Sequence, residues 1–146
     1  MKLLLVEDHL PSADLLIRLF KGAGFDVVHK THGLDGLKTA RSEPFDAILL
    51  DFNLPDIDGS QVGLLLRSTD KTIPVIALTA QVDKITRNKA KSFGFSAFIS
   101  KPWDVAELLT TVSNLTGGHS SADTAQPVHI VDQKVATQEI AVIRVG

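Results

Sequence analysis

Five polar residues, each placed just after an apolar run, are the part of this sequence whose types and spacing could do chemistry. Glu7 and Asp8 follow Lys2-Leu-Leu-Leu-Val6, and Asp51 follows Ala47-Ile-Leu-Leu50. Thr79 follows Ile73-Pro-Val-Ile-Ala-Leu78, and Lys101 follows Ala97-Phe-Ile-Ser100. Three carboxylates, a hydroxyl and an ammonium can hold a divalent cation and present one carboxylate as a nucleophile. A carboxylate nucleophile accepts a phosphoryl group as an acyl phosphate, and Asp51 is the candidate for that role. Mg²⁺ (or Mn²⁺) takes one or two carboxylates plus substrate oxygens and waters, which Glu7, Asp8 and Asp51 can supply. Lys101 offers a fixed cation to phosphoryl oxygens and Thr79 a hydroxyl donor, while Ala80 is small enough to leave the nucleophile open. Each residue alone has an ordinary explanation: turn former, solvated loop, β-former, loop dipeptide. Their joint placement at the ends of four apolar runs argues for a site.

The elements that must position them follow from periodicity and punctuation. Short apolar runs predict strands over 2–6, 25–29, 46–50, 73–78 and 97–100. Between and after them, helical spacing predicts helices over 11–21, 33–41, 60–67, 82–93 and 105–115. Leu15, Leu16, Leu19 and Phe20 form the expected stripe of the first helix, Leu34 and Leu37 that of the second, and Val62, Leu65 and Leu66 that of the third. Pro11 near a helix start and Gly22 and Gly24 at its end are the expected signals. The 53–59 stretch is a turn cluster. Strict strand–helix alternation argues for a parallel α/β sheet. Right-handed crossovers then favour a doubly wound (βα)₅ sheet of order 2-1-3-4-5. In such a sheet every strand C-terminus lies along one edge, and the switch point puts Glu7 and Asp8 beside Asp51.

Composition bounds the function classes. The chain of 146 residues is 44% hydrophobic and 22% charged with a net charge of −2, ordinary for a soluble globular domain. Charges of both signs are interspersed, so direct nucleic acid binding by this chain has no support. There are no cysteines, which removes disulfides and thiolate chemistry and fits a cytoplasmic location. No run approaches the roughly 18 apolar residues of a membrane span. His9, His29, His32, His119 and His129 show no metal-ligand spacing.

The same residues carry a family resemblance. Leu5-Val-Glu-Asp8 resembles the acidic-pair motif of response regulator receiver domains. Leu49-Leu-Asp-Phe-Asn-Leu-Pro-Asp-Ile-Asp-Gly59 resembles their phosphoacceptor motif. Pro74-Val-Ile-Ala-Leu-Thr-Ala80 resembles the switch-hydroxyl motif, and Lys101-Pro102 the lysine–proline motif. Four motifs in order over residues 1–116 make the match specific. The resemblance implies a flavodoxin-like receiver fold and two-component or phosphorelay signalling. It implies phosphorylation of Asp51 from a sensor histidine kinase or a histidine phosphotransfer protein. It implies Mg²⁺ held by Glu7, Asp8, Asp51 and the backbone carbonyl of Asn53, with Thr79 and Lys101 on the phosphoryl group. It also implies a cis Lys101–Pro102 peptide, Thr79 and Phe98 as a switch pair, and Asn53 and Gln81 as residues that tune the phosphoryl lifetime. The surface formed by the predicted fourth helix, fifth strand and last helix would change on phosphorylation and serve an output or a homodimer. Phe52 is bulkier than the aliphatic residue often found after the acceptor.

Two other functions compete. A haloacid-dehalogenase-type phosphatase also uses an Asp nucleophile with Mg²⁺, but needs an acid two residues on, where Asn53 stands. A pseudo-receiver would be a pure interaction module, and need not retain the whole set of acids, hydroxyl and lysine. A signalling switch rather than an enzyme is the expected class. Beyond the receiver, 117–127 is small, polar and turn-rich and reads as a linker. Residues 128–146 hold β-prone runs at 128–131 and 140–145. They are either the start of an output region or an extension that docks on the receiver or pairs across a dimer.

Overall fold

The computed structural model describes residues 1–80, 94–117, 128–131 and 141–143. Its elements are β1 (Lys2–Val6), α1 (Leu10–Gly22), β2 (Asp26–Lys30), α2 (Gly33–Ser42), β3 (Ala47–Asp51), α3 (Gly59–Thr69), β4 (Val75–Thr79), β5 (Ala97–Ser100), α4 (Val105–Thr116), β6 (Val128–Val131) and β7 (Ala141–Ile143). The helix predicted over 82–93, Gln81 and residues 118–127 lie outside the described residues.

β1 to β5 pair in parallel in the expected order, β2-β1-β3-β4-β5. The sheet does not stop there. β6 adds in parallel to β5 with Phe98 opposite Ile130, and β7 adds antiparallel to β6. The expected five strands are thus the first five of seven. An edge strand carries unpaired N–H and C=O groups that another strand satisfies, and the tail supplies one to β5.

Side chains alternate along each strand, so the sheet is covered twice. Leu3, Leu5, Ala47, Leu49, Ile76, Leu78, Ala97 and Ile99 meet Ala13, Leu16 and Phe20 of α1 and Leu108 and Val112 of α4. Leu4, Val6, Ile48, Leu50, Val75, Ala77 and Phe98 face the other way, onto Leu37 of α2 and Val62 and Leu66 of α3. The helical stripes are narrower than expected. Leu15, Leu34 and Leu65 are exposed, because a neighbour in sequence is turned about 100° around a helix of 3.6 residues per turn. The sheet accepts Leu16, Leu37 and Leu66 instead. β4 begins at Val75 rather than at Ile73. Upstream, the Ile73 amide donates to the Asp70 carboxylate in a turn, and Pro74 has no N–H to give to the ladder.

The ends of α1 use both signals expected for them. Pro11 lies in its first turn, and the His9 ring accepts from the Ser12 amide. At the far end Gly24 takes φ +95° while the Phe25 amide donates to the Phe20 carbonyl at 2.9 Å, a left-handed helix stop that glycine permits without a Cβ clash.

Candidate phosphoryl and metal site

Register places the candidate residues. In the β1–β3 pairing Val6 lies opposite Leu50, so Glu7 and Asp51 each emerge one residue past that step. In the β4–β5 pairing Thr79 lies opposite Ser100, and the Lys101 amide donates to the Thr79 carbonyl at 2.9 Å. Four strand ends therefore meet at one edge.

Carboxylate oxygens of Glu7, Asp8 and Asp51 lie within 4.8 Å of one another, the one such acidic group found among the described residues. Glu7 is fully buried and Asp51 nearly so, while Asp8 is exposed. The Lys101 ammonium sits 3.3 Å from Glu7 Oε1 and 3.2 Å from Asp51 Oδ1. One ammonium thus faces two buried carboxylates. Burial pushes the Glu7 carboxyl up to about 7, aided by its hydrogen bond with Asp51 and opposed by Lys101. The cluster holds more negative charge than Lys101 neutralises, and the donors are all hard oxygens. A divalent cation fits that set.

Supporting contacts orient these groups. The Asn53 amide donates to Asp51 Oδ1 at 3.1 Å, and the His9 amide to Glu7 Oε2 at 3.3 Å. His29 Nε2 lies 2.8 Å from the Glu7 carbonyl, which can only accept, so the ring donates. Thr79 is fully buried and Ala80 exposed. The Lys101–Pro102 peptide is cis. Trp103 is half-buried against the α1/α4 side of the sheet, an anchor at the start of α4. Phe98 is fully buried, with ring centroids 5.0 Å from Phe95 and 6.0 Å from Phe52. The bulk of Phe52 is absorbed by that aromatic cluster.

Three contributors escaped sequence reasoning. Phe95 completes the aromatic group, and His29 braces the Glu7 backbone from β2. Asp56, read only as part of a turn cluster, accepts from the Gly33 amide at 2.8 Å and the Leu34 amide at 3.0 Å. Burial acts to raise its carboxyl, but the Leu34 and Gly33 amides, its own amide and His32 together outweigh it and hold the group below the usual carboxylate range. Its partners lie 23 and 22 residues away, so no local pattern marks it.

Comparison with known proteins agrees with this geometry. The family model of the response regulator receiver domain matches residues 3–113. The probable transcriptional regulatory protein SilR of Salmonella typhimurium is 34% identical over 146 residues, all of this chain and 64% of its own length. The transcriptional regulatory protein CusR of Escherichia coli is 37% identical over 115 residues, 79% of this chain and 51% of its own. The chain therefore spans between half and two-thirds of these relatives. Among solved structures, the receiver domain of a sensor histidine kinase from Pseudomonas aeruginosa has a TM-score of 0.74 at 28% identity, over 80% of this chain and 98% of that one. That structure has a magnesium ion coordinated in its active site cleft. No helix among the described residues is long and apolar enough to cross a membrane. With its sheet order, its acidic edge and these likenesses, the chain belongs to the response regulator receiver domains of two-component signalling.

Proposed function

We propose that this receiver accepts a phosphoryl group on Asp51 in a Mg²⁺-dependent reaction and passes the change to a partner or output region. The observation that carries the reading is the pairing of one ammonium, Lys101, with two buried carboxylates, Glu7 and Asp51, at the strand edge. The donor is a phosphohistidine on a sensor kinase or phosphotransfer protein. An Asp51 carboxylate oxygen forms the new bond to phosphorus as the phosphorus–nitrogen bond breaks, and the electron pair leaves with the imidazole. Glu7, Asp8, Asp51 and the Asn53 backbone carbonyl are the residues that would hold Mg²⁺. Once bound, the ion neutralises charge between the attacking carboxylate and the phosphoryl oxygens. Lys101 turns from its two carboxylates to a phosphoryl oxygen, and the Thr79 hydroxyl donates to another. Asn53 and Gln81, two places after Asp51 and Thr79 in sequence, tune the phosphoryl lifetime, since amides cannot act as general bases toward water.

Phosphorylation adds charge and acceptors at the sheet edge. Thr79 and Phe98 form the switch, which biases the surface of β5 and α4 between two arrangements; the predicted fourth helix, expected to share in it, lies outside the described residues. That face serves an output or a homodimer.

Residues 1–116 are the receiver, 117–127 the linker, and 128–146 a C-terminal extension or the start of an output region, of which β6 pairs with β5. Two facts support this last assignment. SilR matches the tail as well as the receiver, and β6 pairs with the β5 edge. The site of action is cytoplasmic, and this chain makes no direct nucleic acid contact of its own.

The test is intact mass after incubation with acetyl phosphate and Mg²⁺. The wild type gains one phosphoryl group, and Asp51→Asn or removal of Mg²⁺ abolishes the gain. Absence of uptake by the wild type would leave a pseudo-receiver and overturn the reading.

A further inference from the structure

The first turn of α2 presents amides that have no partner within the helix. His32 occupies the N-cap position with extended backbone, φ −123° and ψ 143°, yet its side chain makes no capping bond. The cap comes instead from the loop between β3 and α3. Asp56 gives one carboxylate oxygen to the Gly33 amide and the other to the Leu34 amide. Shape reinforces charge: a Cβ added at Gly33 would collide with Ile57 Cγ2 and lie 3.1 Å from Leu54 Cδ1. The tip of the loop is therefore seated directly on the helix start.

The base of the same loop is closed. Asn53 and Asp58 form an antiparallel bridge, and the Gly59 amide donates to the Phe52 carbonyl at 2.9 Å. A Cβ at Gly59 would stand 2.7 Å from the Phe52 backbone, so the close approach requires glycine. Asn53 is part of this base, and its amide donates to Asp51 Oδ1. The loop is thus a small closed unit, tied at its base to β3 and at its tip to α2.

We propose that Asp56 is a positioning residue for the metal site: by capping α2 from a distance it sets the loop, and with it the Asn53 backbone carbonyl that would hold Mg²⁺. This rests on the metal reading given under Proposed function. The α2 cap and the Asn53 backbone belong to one loop, so loss of the tie at Asp56 loosens both.

The experiment is a Mg²⁺ titration of the full chain followed by the fluorescence of Trp103, its one tryptophan, alongside thermal melting. Asp56→Ala raises the Mg²⁺ Kd about tenfold, the scale of lost support behind a metal ligand. Saturating Mg²⁺ restores phosphoryl uptake from acetyl phosphate. Asp56→Asn, which keeps a capping acceptor, recovers most of the affinity. The deciding variant is Asp56→Ala combined with His32→Ser, which gives α2 a cap of its own. It regains Tm without regaining Mg²⁺ affinity. If affinity returns along with Tm, or if Asp56→Ala leaves the Kd unchanged, Asp56 is a helix cap only and the proposal fails. Failure of the wild type to bind Mg²⁺ would instead overturn the metal reading itself.

Discussion

The two faces of the sheet are built differently. The face under α1 and α4 is aliphatic apart from Phe20, Phe25 and the half-buried Trp103, and both of its helices cap themselves, through His9 and Asp104. The face under α2 and α3 carries Phe95 and Phe98 with Phe52 packed against them, and Phe52 directly follows Asp51. α2 on that face borrows its cap from Asp56. One face is locally self-sufficient. The other is connected to the site through an aromatic cluster and a long-range cap. Any change at Asp51 has a packed route into the second face, whereas the first meets the site through strand backbone and the starts of α1 and α4, where the α1 cap His9 gives its amide hydrogen to Glu7 Oε2. A receiver needs both: a rigid support, and a surface whose packing answers to the site.

The largest effect that can break this contrast is on stability. Phe20→Ala empties a fully buried ring site on the self-sufficient face and costs about 3–5 kcal/mol. Urea unfolding reads the loss, and phosphoryl uptake measured well below Tm stays unchanged. If uptake falls as well, the two faces are not separable. Phe98→Ala carries a similar cost, but there the dependence of β5 amide exchange on phosphorylation also weakens.

A second effect, up to about 3 kcal/mol, comes from Glu7. Its folded value of about 7 lies above its ordinary 4.5, so the folded protein holds this proton more tightly than the unfolded chain does. The resulting stabilisation is full below pH 4.5 and is lost as pH rises through about 7. Metal-free protein therefore loses stability between pH 5 and pH 8 from this group, and Mg²⁺ restores it by replacing the proton. Denaturant unfolding at several pH values, with and without Mg²⁺, checks the sign. Glu7→Gln removes the slope, and a slope that survives would assign it elsewhere.

The smallest effect sharpens the contrast between caps. Asp104→Ala removes the acceptor from the Glu107 amide, which it holds at 3.0 Å, and costs about 1 kcal/mol. It leaves Mg²⁺ affinity alone, whereas Asp56→Ala does not. Equal effects of the two caps on the metal would erase the distinction.

The five receiver strands, the four described helices, their order and the five polar residues at strand ends were legible in the sequence, because each depends on local patterning and on one topological rule. Apolar runs define β1, β3 and β4. Alternation with helical spacing demands crossovers, and crossovers send every strand end to one edge. Tertiary structure alone decided the rest. Leu15 and Leu65 stay exposed because the sheet accepts only a narrow stripe of each helix. The tail became β6 and β7 because β5 had an open edge to satisfy. Glu7 holds its proton to about pH 7 because burial and Asp51 together outweigh Lys101, a balance set by distances between residues far apart in the chain. Asp56 caps a helix that begins 23 residues before it. Local propensity names the elements, but desolvation and capping across loops depend on which surfaces meet, and that is settled only when the sheet closes.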